Sequence, residues 1–415
     1  MYHVHHDCPL LTMTISAVTI CSVNYLAKAL VLVESYLAHH PEHGFTILLV
    51  DRKVPVDLPK IPNVSFLWVE DLGIENFLQK AFMFDVIEFN TNVKPAVMLR
   101  LLKTNDAVIY LDPDIKVYAP LTTVLEGLQS HAVLVTPHTN FPILDGKKPD
   151  DVEFLKFGSF NLGFTAVSAS EEGRSFLQWW SDRCLELGFY EPQLGLAVDQ
   201  KWVQLAPCYF PTVGILRDPG LNVAFWNLHE RRLSRENGSW QANGQPLRFI
   251  HFSSFNSAAP ENIANKQSRF APNSREDFIA AAREYADELH EKEMTFPTSR
   301  PYSFDFFSDG SPVPAALRRA YALCHAALAD VVDPFDASGK VHAFARRNGL
   351  LSRNAKPAKR RTFKDIGHGS LQVRVFDFLL RSALKLLGPD RYFDLMRYLS
   401  HISSIRNQSG VFKTK

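Results

Sequence analysis

Short apolar runs alternate with helix-spaced apolar stretches through the first half of the chain, and this alternation leaves few architectures open. Ile15 to Cys21 is a β-rich apolar run, followed from Tyr25 to Ala38 by helical periodicity through Leu26, Ala29, Leu30, Val33 and Leu37. Phe45 to Val50, ending in Asp51-Arg52, and Val64 to Val69 read as the next two strands. Lys94 to Lys103 places Val97, Met98, Leu101 and Leu102 on one helical face before the strand Ala107 to Leu111. Strands alternating with helices at this spacing predict an α/β fold with a mixed, mainly parallel sheet flanked by helices. The same pattern continues through a helix at Leu121 to Leu128, strands at Ala132 to Thr136 and from Phe160, a helix at Glu171 to Leu187, and a last strand at Leu247 to Phe252.

Beyond Phe255 the character changes. Asn256 to Asn273 is polar and loop-like, Arg275 to Lys292 is a charged helix, and later helices are expected at Ala315 to Val331 and Leu371 to Leu387. The expected organisation is a flexible tail over 1–12, an α/β domain over 13–256, and a mainly helical accessory region over 257–415. With 415 residues there is ample material for such a division. His3, His5 and His6 fall in the tail and are expected to be exposed.

Charge narrows the partners. Lys plus Arg total 45 against 44 for Asp plus Glu, so no overall field argues for nucleic acid. The balance is uneven locally. Lys340, Arg346, Arg347, Arg353, Lys356, Lys359, Arg360, Arg361 and Lys364 fall in one block without an acidic residue. Such a block reads as a solvated flexible segment or as a patch that adsorbs to an anionic membrane face. The five cysteines are widely spaced and include no C-x-x-C, so neither a disulfide framework nor a zinc site is expected. The start lacks the charged and apolar regions of a secretory signal, and apolar stretches fall short of the roughly 20 residues of a membrane helix. A cytoplasmic protein is expected, with peripheral contact at the inner membrane face.

Asp112 and Asp114 follow the apolar run Val108-Ile109-Tyr110-Leu111, which delivers two carboxylates to the carboxyl end of a buried strand. Open α/β sheets place their ligands there, and hard divalent cations bind phosphates through one or two carboxylates. Asp-Pro-Asp is equally an ordinary turn, since Asp bonds its own backbone and Pro fixes φ. The pair alone leaves both readings open.

Other short motifs fall in a defined order around the pair: Asn24-Tyr25, Lys94, Asp112-Pro113-Asp114, Asn161-Leu162-Gly163, Asp199-Gln200 and His251. That order, over about residues 14 to 255, resembles the nucleotide-sugar glycosyltransferases with the GT-A (Rossmann-like) fold, in particular the glycogenin and lipopolysaccharide galactosyltransferase type (family 8-like). The resemblance implies a metal held by Asp112, Asp114 and His251. It also implies a donor site of Ser22, Asn24, Tyr25, Lys94, Asp112, Asn161 and Gly163, and Asp199 and Gln200 beneath the transferred sugar. The mixed oxygen and nitrogen ligands favour Mn2+, with Mg2+ as the alternative.

The implied activity is sugar transfer from a nucleotide-diphosphate donor, UDP-linked, to a glycan or lipid-linked acceptor in surface polysaccharide synthesis, with the anomeric configuration retained. Inversion would require a carboxylate base, for which Asp199 or Glu230 is available. Phe252-Ser253-Ser254-Phe255 departs from the family pattern after the histidine, and Ser253, Ser254 or Lys266 is the expected substitute at the phosphate. Asn222, Trp226 and His229 are further candidates near the acceptor. A nucleotidyltransferase shares the sheet but usually opens with a Gly-rich basic loop, where this chain has Cys21-Ser22-Val23-Asn24-Tyr25. A non-catalytic glycan-binding protein on the same fold is the other alternative.

Overall fold

The computed structural model describes residues 13–296, 298–352, 357, 371–408 and 410–414. The tail over 1–12, and Arg353, Lys356, Lys359, Arg360, Arg361 and Lys364 of the basic block, lie outside the described residues. The chain forms two compact units, one containing the residues up to Ile74 and Val86–Tyr302, the other Glu75–Asp85 and the residues from Ser303 on.

The first unit is built on strands β1 (Ile15–Cys21), β2 (Gly44–Leu49), β3 (Val64–Trp68), β4 (Ala107–Leu111), β5 (Ile115–Val117), β6 (Val133–Pro137), β7 (Phe160–Ser168), β8 (Val213–Ile215) and β9 (Phe249–His251). Seven of them make one sheet in the order β8-β6-β7-β4-β1-β2-β3. β7 runs against both its neighbours, and the remaining pairs are parallel. The expected mixed, mainly parallel sheet is therefore what forms. Every residue of β1 and β4 is buried, including Ser16 and Thr19 within the otherwise apolar β1, as expected when helices cover both sheet faces.

The helix Leu26–His39 is buried on two sides. Leu26, Ala29, Leu30, Val33 and Tyr36 pack on Ile47, Leu49 and Ile109 of the sheet. Ala27 and Val31 join a second cluster with Phe278, Ile279, Ala282 and Tyr285 of the helix Glu276–Thr295. This packing places the later helix within the first unit, so the chain divides after Tyr302 and not near 256. Ser170 caps the helix Glu171–Leu187 by accepting from Gly173 N at 3.1 Å.

Two strand readings needed correction. The expected last strand of the sheet is the three-residue β9, which pairs antiparallel with β5 outside the seven-stranded sheet. A three-stranded sheet of Leu233–Glu236, Ser239–Ala242 and Gln245–Pro246 went unread in the sequence, its strands being short and mostly exposed.

In the second unit, the helix Phe77–Met83 is held by Arg318, whose Nη1 donates to the carbonyls of Ala81, Phe82 and Phe84 at 3.2, 3.0 and 2.8 Å. Those carbonyls at a helix end have no partner within the helix, so a buried guanidinium satisfies them. Its Nη2 donates to Phe304 O and to Asp305 at 2.6 and 2.9 Å. Phe82 packs against Tyr321 and Phe335. The helix expected over Ala315 to Val331 breaks at Cys324 into Ala315–Leu323 and His325–Leu328. Lys340–Arg347, expected as part of a flexible basic segment, is a helix with Val341, His342, Phe344 and Ala345 buried. The helix expected to end at Leu387 runs over Leu371–Ile402 and is broken at Gly388 (φ 75°), followed by Pro389. Pro has no N–H for the helical ladder, and Gly tolerates the positive φ.

Candidate functional site

The antiparallel register of β4 and β7 pairs Leu111 with Phe164, and Asp112 N then donates to Gly163 O at 2.8 Å. The chain turns through Pro113, with Ile115 N donating to Asp112 O at 3.1 Å, so Asp-Pro-Asp does form a turn. β5 follows at once and pairs with β9, setting Ile115 opposite His251. Two registers thus converge. One oxygen each of Asp112 and Asp114 and one ring nitrogen of His251 lie within 4.8 Å of one another.

His251 Nε2 stands 3.1 Å from Asp114 Oδ1 and 3.5 Å from Asp112 Oδ2. Its other ring nitrogen, Nδ1, faces Asn161 Oδ1 at 3.2 Å. That amide oxygen also accepts from Gly163 N at 3.2 Å and Asn222 Nδ2 at 3.1 Å. An amide oxygen only accepts, so Nδ1 carries a proton, and in the neutral ring the Nε2 lone pair lies on the side of the carboxylates. A hydrogen-bond acceptor on the far nitrogen is the usual arrangement for a metal-binding histidine, since it fixes the tautomer and the ring orientation. Two carboxylate oxygens and one imidazole nitrogen suit a divalent cation such as Mn2+.

Gly163 makes room for this ring. A Cβ there would stand 2.3 Å from His251 Cε1 and 2.6 Å from Nδ1. Trp226 packs edge-on to His251, with ring centroids 5.3 Å apart. Asn222 also donates to Thr136 Oγ1 at 2.8 Å, fixing Asn161 to β6.

Electrostatics centre on the two carboxylates. Burial opposes charge on His251, but Asp114 and Asp112 outweigh it and raise its pKa. Burial likewise opposes charge on Asp114, while His251 and Lys28 outweigh it and hold the carboxyl below its ordinary range. A protonated imidazole and a cation are alternative partners for the same two charges. Tyr110, a core residue by sequence, donates its hydroxyl to Asp112 Oδ1 at 2.6 Å.

Lys94 is buried, unlike a side chain reaching out for a phosphate. Its Nζ donates to Asp199 Oδ2 at 2.6 Å and Leu162 O at 2.7 Å, lies 4.0 Å from Asp112 Oδ1, and sits 4.2 Å over the Tyr110 ring. Burial raises the Asp199 pKa, with Lys94 opposing and Asp112 adding to the rise. Gln200 accepts from Leu162 N at 3.1 Å and donates to Phe157 O at 2.9 Å, so its amide is engaged with backbone.

At the end of β1, Ser22 Oγ donates to Asn24 Oδ1 at 2.5 Å, and Asp51 Oδ2 accepts from Val23 N at 2.8 Å. Tyr25 is exposed, and Lys28 Nζ lies 4.4 Å from its ring centre. Lys28 was missed in the sequence because it falls inside an apolar helix pattern. Glu230 accepts from Asn140 N and Phe141 N, at 2.9 and 3.0 Å, and is a loop clamp. Lys266 is exposed, and Ser254 sits at φ 56° in the turn after β9.

His40, Glu42 and His43 form a second group with the spacing of metal ligands. Leu121 N donates to His40 Nε2 at 3.0 Å, which puts the ring proton on Nδ1, the atom facing Glu42. That tautomer has no lone pair for a metal. Cys21, Cys184, Cys208 and Cys324 are free thiols.

No family model matches the chain. In sequence it is similar to the uncharacterized proteins YfnF and YfnD of Bacillus subtilis (strain 168). YfnF is 27% identical over 250 residues, 59% of this chain and 82% of YfnF. YfnD is 23% identical over 248 residues, 57% of this chain and 76% of YfnD. Among solved structures it is similar to the galactosyltransferase LgtC in complex with donor and acceptor sugar analogs, at 16% identity and TM-score 0.42, covering 66% of this chain and 95% of LgtC. The glycosyltransferase GlyE of Streptococcus pneumoniae TIGR4 gives 15% identity and TM-score 0.38, covering 71% of this chain and 67% of that one. These solved structures are glycosyltransferases.

Proposed function

We propose that the chain is a metal-dependent glycosyltransferase, moving a hexosyl group from a nucleotide-diphosphate donor, UDP-linked, to a glycan or lipid-linked acceptor in surface polysaccharide synthesis. The observation that carries this reading is the Asp112–Asp114–His251 triad, with the imidazole Nε2 aimed at two carboxylates where the strand ends and Nδ1 held by Asn161. A divalent ion bound there, Mn2+ or Mg2+, would stabilise the charge that grows on the leaving diphosphate.

In this reading Ser22, Asn24 and Tyr25 receive the nucleoside at the end of β1, and Lys28 faces the phosphates. Lys94 acts through its neighbours: it holds Asp199 in place and balances the negative charge around Asp112. Asp199 and Gln200 form the floor under the transferred sugar. Gln200 fixes the backbone of Leu162, and the second oxygen of Asp199 takes a sugar hydroxyl.

The two carboxylates that could serve an inverting route are committed elsewhere, Asp199 to Lys94 and Glu230 to the amides of Asn140 and Phe141. This supports retention, with the acceptor proton leaving on the diphosphate. The test is release of nucleoside diphosphate from a panel of nucleotide sugars with Mn2+, for the protein and for Asp114→Ala. Manganese-dependent release abolished in the variant is the expected result. No release from any donor, together with no thermal stabilisation by nucleotide plus metal, would sink the proposal. Product stereochemistry by NMR then tests retention.

A further inference from the structure

The helical arm over 371–387, which ends at the Gly388 break, has no buried residue. At 1.5 Å per residue it is about 25 Å long. Most of its side chains sort by face, with Phe378 the exposed aromatic that falls on the cationic side. Arg374, Arg381 and Lys385 are spaced by seven and four residues, which brings them onto one stripe at 3.6 residues per turn. The opposite stripe carries Phe376, Leu379, Leu386 and Leu387, which are 67%, 55%, 85% and 39% exposed. A single helix presenting that much apolar surface to water is unstable on its own and marks a binding face.

Charge says what covers it. In sequence the arm follows the block from Lys340 to Lys364, nine basic residues without an acidic one, and the arm itself adds three cations against Asp377 alone. A cationic stripe along one side with Phe and Leu opposite is the pattern of a helix lying in the plane of an anionic membrane surface. Its apolar arc is too wide for pairing with a second copy, because a coiled-coil seam would cover Phe376, Leu379 and Leu386 and leave Val375 on one flank and Leu384 on the other in water. No helix among the described residues is long and apolar enough to cross a membrane.

We infer that the 371–387 helix is an in-plane anchor, its Phe376–Leu387 face inserted among acyl chains and Arg374, Arg381 and Lys385 at anionic phospholipid headgroups. The inference is independent of the sugar-transfer reading, since it concerns a different part of the chain and needs no activity.

The experiment is cosedimentation of the full chain with vesicles of phosphatidylglycerol and phosphatidylcholine in equal parts, against phosphatidylcholine alone, at low salt. Binding to the anionic vesicles only is expected. The triple variant Arg374→Glu, Arg381→Glu, Lys385→Glu should partition about a hundredfold more weakly, since each cation near such a surface contributes separately. A Leu386→Trp variant should show a blue-shifted indole emission on adding anionic vesicles. All these positions are exposed, and an unchanged melting temperature in lipid-free buffer checks that the fold is kept. Equal binding to neutral vesicles, no binding at all, or full binding by the triple variant would overturn the inference. So would a stable dimer by light scattering that Phe376→Ser with Leu386→Ser dissolves.

Discussion

Asn161 Oδ1 stands 3.2 Å from His251 Nδ1 and accepts two further hydrogen bonds, from Gly163 N and Asn222 Nδ2. A fully engaged amide oxygen of this kind fixes both the tautomer and the orientation of the imidazole. Asn161→Ala removes the acceptor, and Mn2+ affinity measured by titration calorimetry should fall by about 10- to 100-fold, the usual loss when the group that orients a metal ligand is removed. Asn161→Asp keeps the acceptor and should restore most of that binding. Equal affinity in the protein and in Asn161→Ala would mean that the ring needs no partner.

Gly163 supports the same histidine sterically. The 2.3 Å separation between an added Cβ and His251 Cε1 leaves no relaxation short of moving the ring. Gly163→Ala should therefore weaken Mn2+ binding about as much as His251→Ala does. The two substitutions combined should cost little more than either alone, because both act on one ligand. Additive losses would show that Gly163 serves some other group.

The sequence exposed long features and concealed short ones. β1 and β4 were readable because a strand buried on both faces is a mainly apolar run, broken in β1 only by the small Ser16 and Thr19. β5 and β9 have three residues each, too few for any period, and only their mutual register reveals that His251 faces Asp114. Tyr110 inside an apolar strand reads as core, although its hydroxyl bonds Asp112. Lys94, expected in the donor site, is buried, and its ion pair is with Asp199, a residue 105 positions away. Motif order thus named residues that the structure brings together, Asp112, Asp114, Asn161 and His251 among them, while leaving their roles open. Asn161 and Gly163, expected to line a sugar pocket, both lie against the histidine.

His40 supplies a pH dependence away from the site. Burial, and secondarily His43, hold its pKa at about 4, and the two rings stack with centroids 4.8 Å apart. The unfolded chain, with an ordinary histidine pKa, binds this proton more readily than the folded one. The stability contributed by neutral His40 is thus complete above the ordinary pKa of 6.5 and is lost as pH falls toward 4. His138, likewise held at about 4 mainly by burial, acts in the same direction. Each such group can contribute a slope of at most about 1.4 kcal/mol per pH unit. Urea denaturation between neutral pH and mildly acid pH should show this loss, with a shallower slope in His40→Gln. An unchanged slope would place the acid sensitivity elsewhere.

Lys94 and Asp199 form a buried pair at 2.6 Å, and the way it is broken distinguishes stability from function. Lys94→Met leaves Asp199 without its cation beside Asp112, and removing one partner of a buried pair typically costs about 3–5 kcal/mol. Burial already raises the Asp199 pKa, so in Lys94→Met that carboxyl should take up a proton more readily still, and the stability loss should shrink as pH falls. Lys94→Met with Asp199→Leu removes both charges and should recover most of the stability, since an apolar pair of similar volume is often as stable as the ions it replaces. On the proposed reading sugar transfer should not return with it, because the double variant lacks the Asp199 carboxylate assigned to the transferred sugar. A double variant that is stable and fully active would restrict the pair to a structural role.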